Sequence, residues 1–147
     1  MPLQAGQLPD VLKILLVCSG NTCRSPMAEC YLRALRPNWV VESAGTRARK
    51  GEPASRHAGR IMAKLGLDLG KHRSRPLSEV VLEDFDKVLV MTPLQQREIP
   101  VSSELLSSLR GEECPVPDPY GGTEAEYQST FEAIRYYLDA FKESEQE

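Results

Sequence analysis

The chain has 147 residues, a net charge of −3, 41% hydrophobic residues and 27% charged residues. That length suits one domain around one core, and the composition is ordinary for a globular protein. The negative balance argues against nucleic acid as a partner, because such binding needs a basic footprint. No apolar run reaches the ~18 residues needed to span a bilayer, so no membrane partner is expected. Met1 to Asp10 lacks the basic and apolar regions of a signal peptide, and the protein is expected in the cytoplasm. There the cysteines at positions 18, 23, 30 and 114 are expected reduced, and their spacing forms no paired C-x-x-C set for zinc.

Residues 1–10 read as a flexible N-terminal extension. Leu12 to Val17 is almost wholly apolar, which fits a strand covered on both faces. A helix is predicted next, with Pro26 in its first turn, Met27, Cys30, Tyr31 and Ala34 at helical spacing, and Pro37 at its end. Trp39 to Ser43 reads as a second strand, closed by Ala44 and Gly45. A helix then starts near Pro53 with an apolar stripe of Ala54, Ala58, Ile61, Met62 and Leu65, and Gly66 suits its C-terminal cap. The basic clusters Arg47–Lys50 and Lys71–Arg75 read as solvated surface. A short helix is expected over Ser78 to Phe85, a third strand over Lys87 to Met91 and one or two short helices over Pro93 to Leu109. A brief fourth strand is expected around Cys114 to Val116. The last helix buries Tyr127, Phe131, Ile134, Leu138 and Phe141 on one face, and residues 144–147 form a C-terminal tail. Strands alternating with helices predict an α/β fold with a parallel sheet, whose ligands sit beyond the carboxyl ends of strands.

The segment that leaves the first strand carries the chemistry. In "VCSGNTCRSP", a cysteine ends an apolar run, a Gly-Asn turn comes next, and an arginine stands just before a helix. Backbone N–H groups in such a turn curl into an anion nest, and a helix start adds donors and a positive dipole end. Gly20 and Asn21 tolerate the backbone conformations required, and Arg24 supplies a planar fork for two phosphate oxygens. The same surroundings favour the thiolate of a cysteine, which predicts Cys18 as a nucleophile aimed at a bound oxyanion. Ser25 is placed to donate a hydrogen bond to that sulfur. The proton for a leaving group would come from Asp118, in the Pro- and Gly-rich "CPVPDPYGG" loop, where Pro117 and Pro119 restrict the backbone on either side.

"VCSGNTCRSPMAE" resembles the C-x5-R-S loop of low-molecular-weight protein tyrosine phosphatases, with "ESAGT", "HRSR" and "DPYGG" resembling later blocks in the same order. The resemblance runs from about Leu12 to Phe141 and covers a single domain of 11–143. It implies a three-layer α/β/α sandwich on a four-stranded parallel sheet, the flavodoxin-like low-molecular-weight phosphatase fold. It implies Cys18 as nucleophile, Arg24 as phosphate and transition-state clamp, and Asp118 as general acid and then base. Ser19, Gly20, Asn21, Thr22, Cys23, Arg24 and Ser25 would form the phosphate-binding loop. Ser25 would stabilise the thiolate, and Asn21, Ser43 and His72 would shape the loop through buried hydrogen bonds. Cys23 matches a neighbour that closes a reversible disulfide with the nucleophile in the family. The implied partners are a phosphoprotein substrate and an oxyanion, with no metal and no cofactor.

Three departures bear on the substrate. Thr22 stands where tyrosine-specific members usually carry Ile or Leu, Arg47 to Lys50 contains no aromatic residue, and Gly121 replaces a second aromatic after D-P-Y. Only Tyr120 remains as an aromatic wall. Thr22 and "DPYGG" resemble the protein arginine phosphatase branch, whereas Arg49 would repel a guanidinium. Phosphotyrosine and phosphoarginine therefore both stand as substrates, with Thr22, Arg49 and Tyr120 as selectivity residues. Arsenate reduction would need further cysteines to resolve the adduct; Ser78 to Pro100 contains none, and Cys114 is the only outside candidate. A non-catalytic phosphate-binding module would keep the loop without needing both Cys18 and Asp118.

Overall fold

The computed structural model describes residues 10–145, with side chains to position 142. Four strands form one parallel sheet in the order β2-β1-β3-β4: β1 is Lys13–Cys18, β2 is Val40–Gly45, β3 is Lys87–Val90 and β4 is Glu104–Leu105. The helices are α1 (Arg24–Leu35), α2 (Arg56–Ala63), α3 (Pro93–Glu98) and α4 (Glu124–Glu145). Ile14 to Val17 are completely buried, as a central strand with both faces covered requires. Ile14 and Leu16 face a core built with Met27 and Leu32 of α1, Ile61 and Met62 of α2, and Phe131 and Phe141 of α4. Leu15 and Val17 face the other way, onto a smaller cluster with Val88, Val90, Leu82 and Ile99. Only short pieces cover that second face: single 3-10 turns at Leu77–Glu79 and Leu82–Asp84, and the segment after α3.

The chain crosses from β1 to β2 on one side and to β3 on the other, so strand order reverses at β1. A ligand site is expected at the carboxyl end of that strand, which is Cys18.

Several expectations need correcting. Cys114 to Val116 forms no strand: Val116 N–H makes a single bond to Met91 O at 2.8 Å, and Pro115 and Pro117 on either side have no N–H to continue a ladder. The fourth strand is Glu104–Leu105, inside the stretch expected to be helical. The expected Ser78–Phe85 helix is split into two turns at Val80 and Val81, β-branched residues whose backbone stays extended. In α1 the buried face is carried by Met27, Ala28 and Leu32, and Ala34 is exposed. Leu65 is 40% exposed because α2 closes before it: Gly66 has φ +76°, and Leu67 N–H and Gly66 N–H bond to Met62 O and Ala63 O. That is the glycine-capped ending expected there. The α4 stripe is buried as expected, and the helix runs to Glu145, into the segment expected as tail. The expected extension at 1–10 lies, except for Asp10, outside the described residues.

Candidate active site

Cys18 is the last residue of β1 and Arg24 the first of α1, so the strand-to-helix turn curls tightly between them. Asn21 takes φ 58°, the left-handed conformation the turn demands. The opposite side of the turn is pinned by the two residues just past β2: Thr46 N–H bonds to Cys18 O at 3.0 Å and Arg47 N–H to Ser19 O at 2.9 Å. Gly45 is required for this approach, since a Cβ there would lie 2.4 Å from Ser19 O.

The Cys18 sulfur lies 2.9 Å from Ser25 Oγ and accepts the Asn21 N–H at 3.3 Å. Asn21 Nδ2 donates to Ser25 Oγ (2.8 Å) and Ser43 Oγ (2.9 Å), and Ser43 in turn donates to Glu29 Oε1 at 2.5 Å. Because Ser25 Oγ accepts from Asn21, its own hydrogen is free to point at the sulfur. Asn21 Oδ1 accepts the Arg75 N–H at 2.8 Å, and Asn21 O accepts from His72 Nε2 at 2.7 Å. The structure thus brings Cys18, Asn21, Ser25, Ser43 and His72 into one network. The Lys71–Arg75 cluster is not plain solvated surface: His72 and Arg75 hold the loop, and Ser74 is 3% exposed.

Arg24 is buried, with Nη1 donating to Val116 O at 2.8 Å and Nη2 lying 3.5 Å from Asp118 Oδ2. Its Nε is buried without a hydrogen-bond partner among the described residues. Asp118 is half exposed and also accepts the Tyr120 N–H at 3.0 Å through Oδ1, which fixes the loop that carries both residues. Cys23 Sγ lies 3.3 Å from Tyr127 Oη and 3.7 Å from Ser55 Oγ. Burial, with the Cys23 contact next, pushes the Tyr127 phenol up to about 12.

These groups open on a cavity of about 310 Å³. Its floor is Cys18, Gly20, Asn21, Thr22, Cys23 and Arg24, and its mouth is Arg47, Arg49, Glu52, Asp118 and Tyr120. Every residue expected to bind phosphate except Ser19 and Ser25 lines it directly; Ser25 is wholly buried beneath the sulfur. Thr22, Arg49 and Tyr120 all stand on its wall, Tyr120 at 79% exposure, and Cys114 does not. A larger hollow of about 660 Å³ lies behind the network, against Glu29, Ser43 and His72, and neither Cys18 nor Arg24 reaches it.

Sequence reasoning missed two supporting residues. Gln95 is buried in α3, accepts the Met91 and Thr92 N–H groups and donates to Ser19 Oγ at 3.1 Å. The T-x-x-Q spacing marks its capping role at Thr92, but nothing local marks its reach to Ser19. Glu29 ends the chain of hydrogen bonds from the sulfur and pairs with Arg33 at 2.6 Å, one helical turn on. Its helical spacing to Arg33 was readable, its bond to Ser43 was not.

The profile of the low molecular weight phosphotyrosine protein phosphatase family matches residues 13–146. The chain belongs to that family. The probable low molecular weight protein-tyrosine-phosphatase EpsP of Ralstonia nicotianae is 36% identical over 87% of this chain and 92% of its own. Among solved structures, the low molecular weight protein tyrosine phosphatase of T. tengcongensis superposes with a TM-score of 0.83 at 34% identity, over 90% of this chain and 98% of the other. A YwlE arginine phosphatase mutant carrying a phosphorylated active-site serine superposes with a TM-score of 0.85 at 30% identity, over 90% and 94%. The chain is accordingly a low-molecular-weight phosphatase with the family's α/β sheet. Among its described residues no helix is long and apolar enough to cross a membrane.

Proposed function

We propose that this phosphatase hydrolyses phosphotyrosine-type residues in proteins through a cysteinyl-phosphate intermediate. The observation that carries the reading is the sharing of one small cavity by the Cys18 sulfur and the buried Arg24 fork, whose Nε has no partner among the described residues. A phosphate monoester enters with its oxygens against the loop N–H groups and Arg24. The Cys18 thiolate attacks phosphorus in line, the P–O bond to the leaving group breaks, and Asp118 protonates the departing oxygen. Asp118 then takes a proton from water, which attacks the phosphocysteine and releases phosphate. Ser25 stabilises the thiolate as it forms and leaves, and Asn21, Ser43 and His72 keep the loop in shape. Cys114, the resolving thiol that the arsenate reductase reading would need from outside the loop, lies off the cavity wall.

The reading is tested with an aryl phosphate. Turnover by the native chain and its loss in Cys18→Ser, by at least about a thousandfold, is expected; an inert native chain that still binds phosphate would favour the binding module.

A second reading, phosphoarginine as substrate with the same mechanism, is favoured by the mouth of the cavity. Asp118 and Glu52 offer oxygen atoms there, Thr22 offers a hydroxyl on the floor beneath, and among the described residues Tyr120 is the sole aromatic on the wall. The likeness to the YwlE arginine phosphatase supports it as well. Comparing kcat/KM for phosphotyrosine and phosphoarginine peptides, with Thr22→Ile alongside, separates the two. The substitution is expected to shift the ratio towards phosphotyrosine, and an unchanged ratio removes Thr22 from the selectivity argument.

A further inference from the structure

The mouth of the catalytic cavity carries two opposite charges that do not meet. Arg49 and Glu52 both line it, both are exposed, and neither side chain makes a hydrogen bond or ion pair among the described residues. Their neighbours on the same turn are committed elsewhere, Arg47 to Glu98 at 3.0 Å and Lys50 to Glu79 at 3.5 Å. At the mouth, Asp118 is likewise engaged by Arg24 and the Tyr120 N–H. Glu52 is therefore the carboxylate of the mouth with all its acceptor capacity unused.

The backbone holding it is fastened. Glu52 N–H donates to Ser74 Oγ at 2.9 Å, Ser74 N–H donates to Glu52 O at 2.7 Å, and Gly51 N–H donates to Ser74 O at 2.8 Å. Ser74 Oγ donates to Arg49 O. Gly51 turns the chain at φ +86°, and Pro53 restricts Glu52 from the other side. One buried serine thus clips the charged turn to the same segment whose His72 and Arg75 shape the phosphate loop. A fastened backbone lowers the ordering cost of engaging a ligand to that of the Glu52 side chain alone.

We propose that Glu52 is a specificity-determining residue that accepts a cationic donor, a guanidinium above all, from the bound substrate, with Ser74 as the positioning residue that sets it at the mouth. The proposal rests on the phosphatase reading above and adds the substrate chemistry. A guanidinium brings a planar fork of N–H donors that suits a carboxylate. It has two sources here: the phosphorylated arginine itself, or an arginine flanking a phosphotyrosine. Arg49, on the same rim, opposes the same cation and favours an acidic neighbour.

The experiment measures kcat/KM on four substrates: p-nitrophenyl phosphate, a neutral peptide carrying phosphoarginine, and phosphotyrosine peptides with and without an adjacent arginine. Glu52→Gln is expected to lower the ratio of a guanidinium-bearing substrate to the aryl phosphate about three- to tenfold, chiefly through KM. Arg49→Gln is expected to raise it. Ser74→Ala is expected to move it in the same direction as Glu52→Gln, with Ser74→Thr restoring it, whereas a merely structural Ser74 would lower all four substrates alike. A fall confined to phosphoarginine assigns the leaving group as the source, and a fall confined to the arginine-flanked phosphotyrosine assigns the neighbour. No change in either ratio with Glu52→Gln overturns the proposal. A native chain inert on all four substrates overturns the phosphatase reading instead. Calorimetric titration of Cys18→Ser with the same peptides then decides on Glu52, and equal affinities with and without Glu52→Gln overturn its role.

Discussion

A methyl group at position 45 would lie 2.4 Å from Ser19 O and 2.8 Å from Ala48 Cβ. The carbonyl cannot yield freely, because it accepts the Arg47 N–H at 2.9 Å. Gly45→Ala is therefore expected to cost about 1–3 kcal/mol of stability, as overpacking does, and to lower aryl phosphatase activity more than its loss of folded protein explains. Urea unfolding and kcat/KM on the same preparation check this; native activity in the variant would mean that the loop tolerates displacement. Asn21 makes the complementary case. Asn21→Ala would leave the Arg75 N–H without its acceptor and remove the donor that frees Ser25 to face the sulfur. It is expected to lower kcat more than it raises KM, since the loss falls on the contacts of the Cys18 sulfur rather than on ground-state binding. At this scale, the legible residues were those that lie together in the chain. Cys18, Asn21, Arg24 and Ser25 fall within one turn, and their types and spacing announce a phosphate loop. Asp118 stood out by its Pro- and Gly-rich loop, and Ser43 and His72 became legible through the resemblance to a family. Gln95, Ser74 and Glu52 were not, because each acts through a backbone or cavity contact made by folding distant segments together, and no spacing records that.

Among the elements, α4 shows what periodicity carries. Its buried face was readable from the spacing alone, and Phe131 at its centre is 1% exposed, edge-on to Tyr31 with ring centroids 5.7 Å apart. Phe131→Ala is expected to cost about 3–5 kcal/mol, the range for a large aromatic removed from a core, and a denaturant midpoint shift with unchanged slope would show it. A loss below about 1 kcal/mol would contradict the core assignment. The short elements were not readable on the same terms. β4 is a pair of residues, Glu104 and Leu105, too brief to show alternation, whereas "CPVP" has a β-rich look that its prolines deny. Val80 and Val81 break the expected helix because a weak amphipathic pattern yields to β-branched backbone preference, and Val80 also packs against the second face of the sheet.

For the whole molecule, alkaline pH is the informative perturbation. Burial first, then the contact with Cys23, pushes Tyr127 up to about 12, and burial followed by the charge of Glu112 does the same to Tyr137. The folded protein thus holds these protons where the unfolded chain, near 10, has released them. The resulting contribution to stability is fully present below pH 10 and is lost as pH rises towards 12. Urea midpoints on either side of pH 10 are expected to fall with pH, and the fall is expected to be shallower in the Tyr127→Phe, Tyr137→Phe double variant. Identical pH profiles for the two proteins would contradict it. Cys23 shares the buried contact with Tyr127 and lines the cavity that holds Cys18 and Arg24, so α4 is joined directly to its wall. The account as a whole depends on a phosphoryl group passing through one sulfur. Asp118→Ala should retain phosphoryl transfer from p-nitrophenyl phosphate, whose leaving group needs no acid, while losing the base for hydrolysis. Rapid quenching and mass spectrometry of that variant should find one phosphoryl group, carried on Cys18, and none when Cys18→Ser is added. Steady hydrolysis with no phosphocysteine, or a phosphoryl group on another residue, would contradict it.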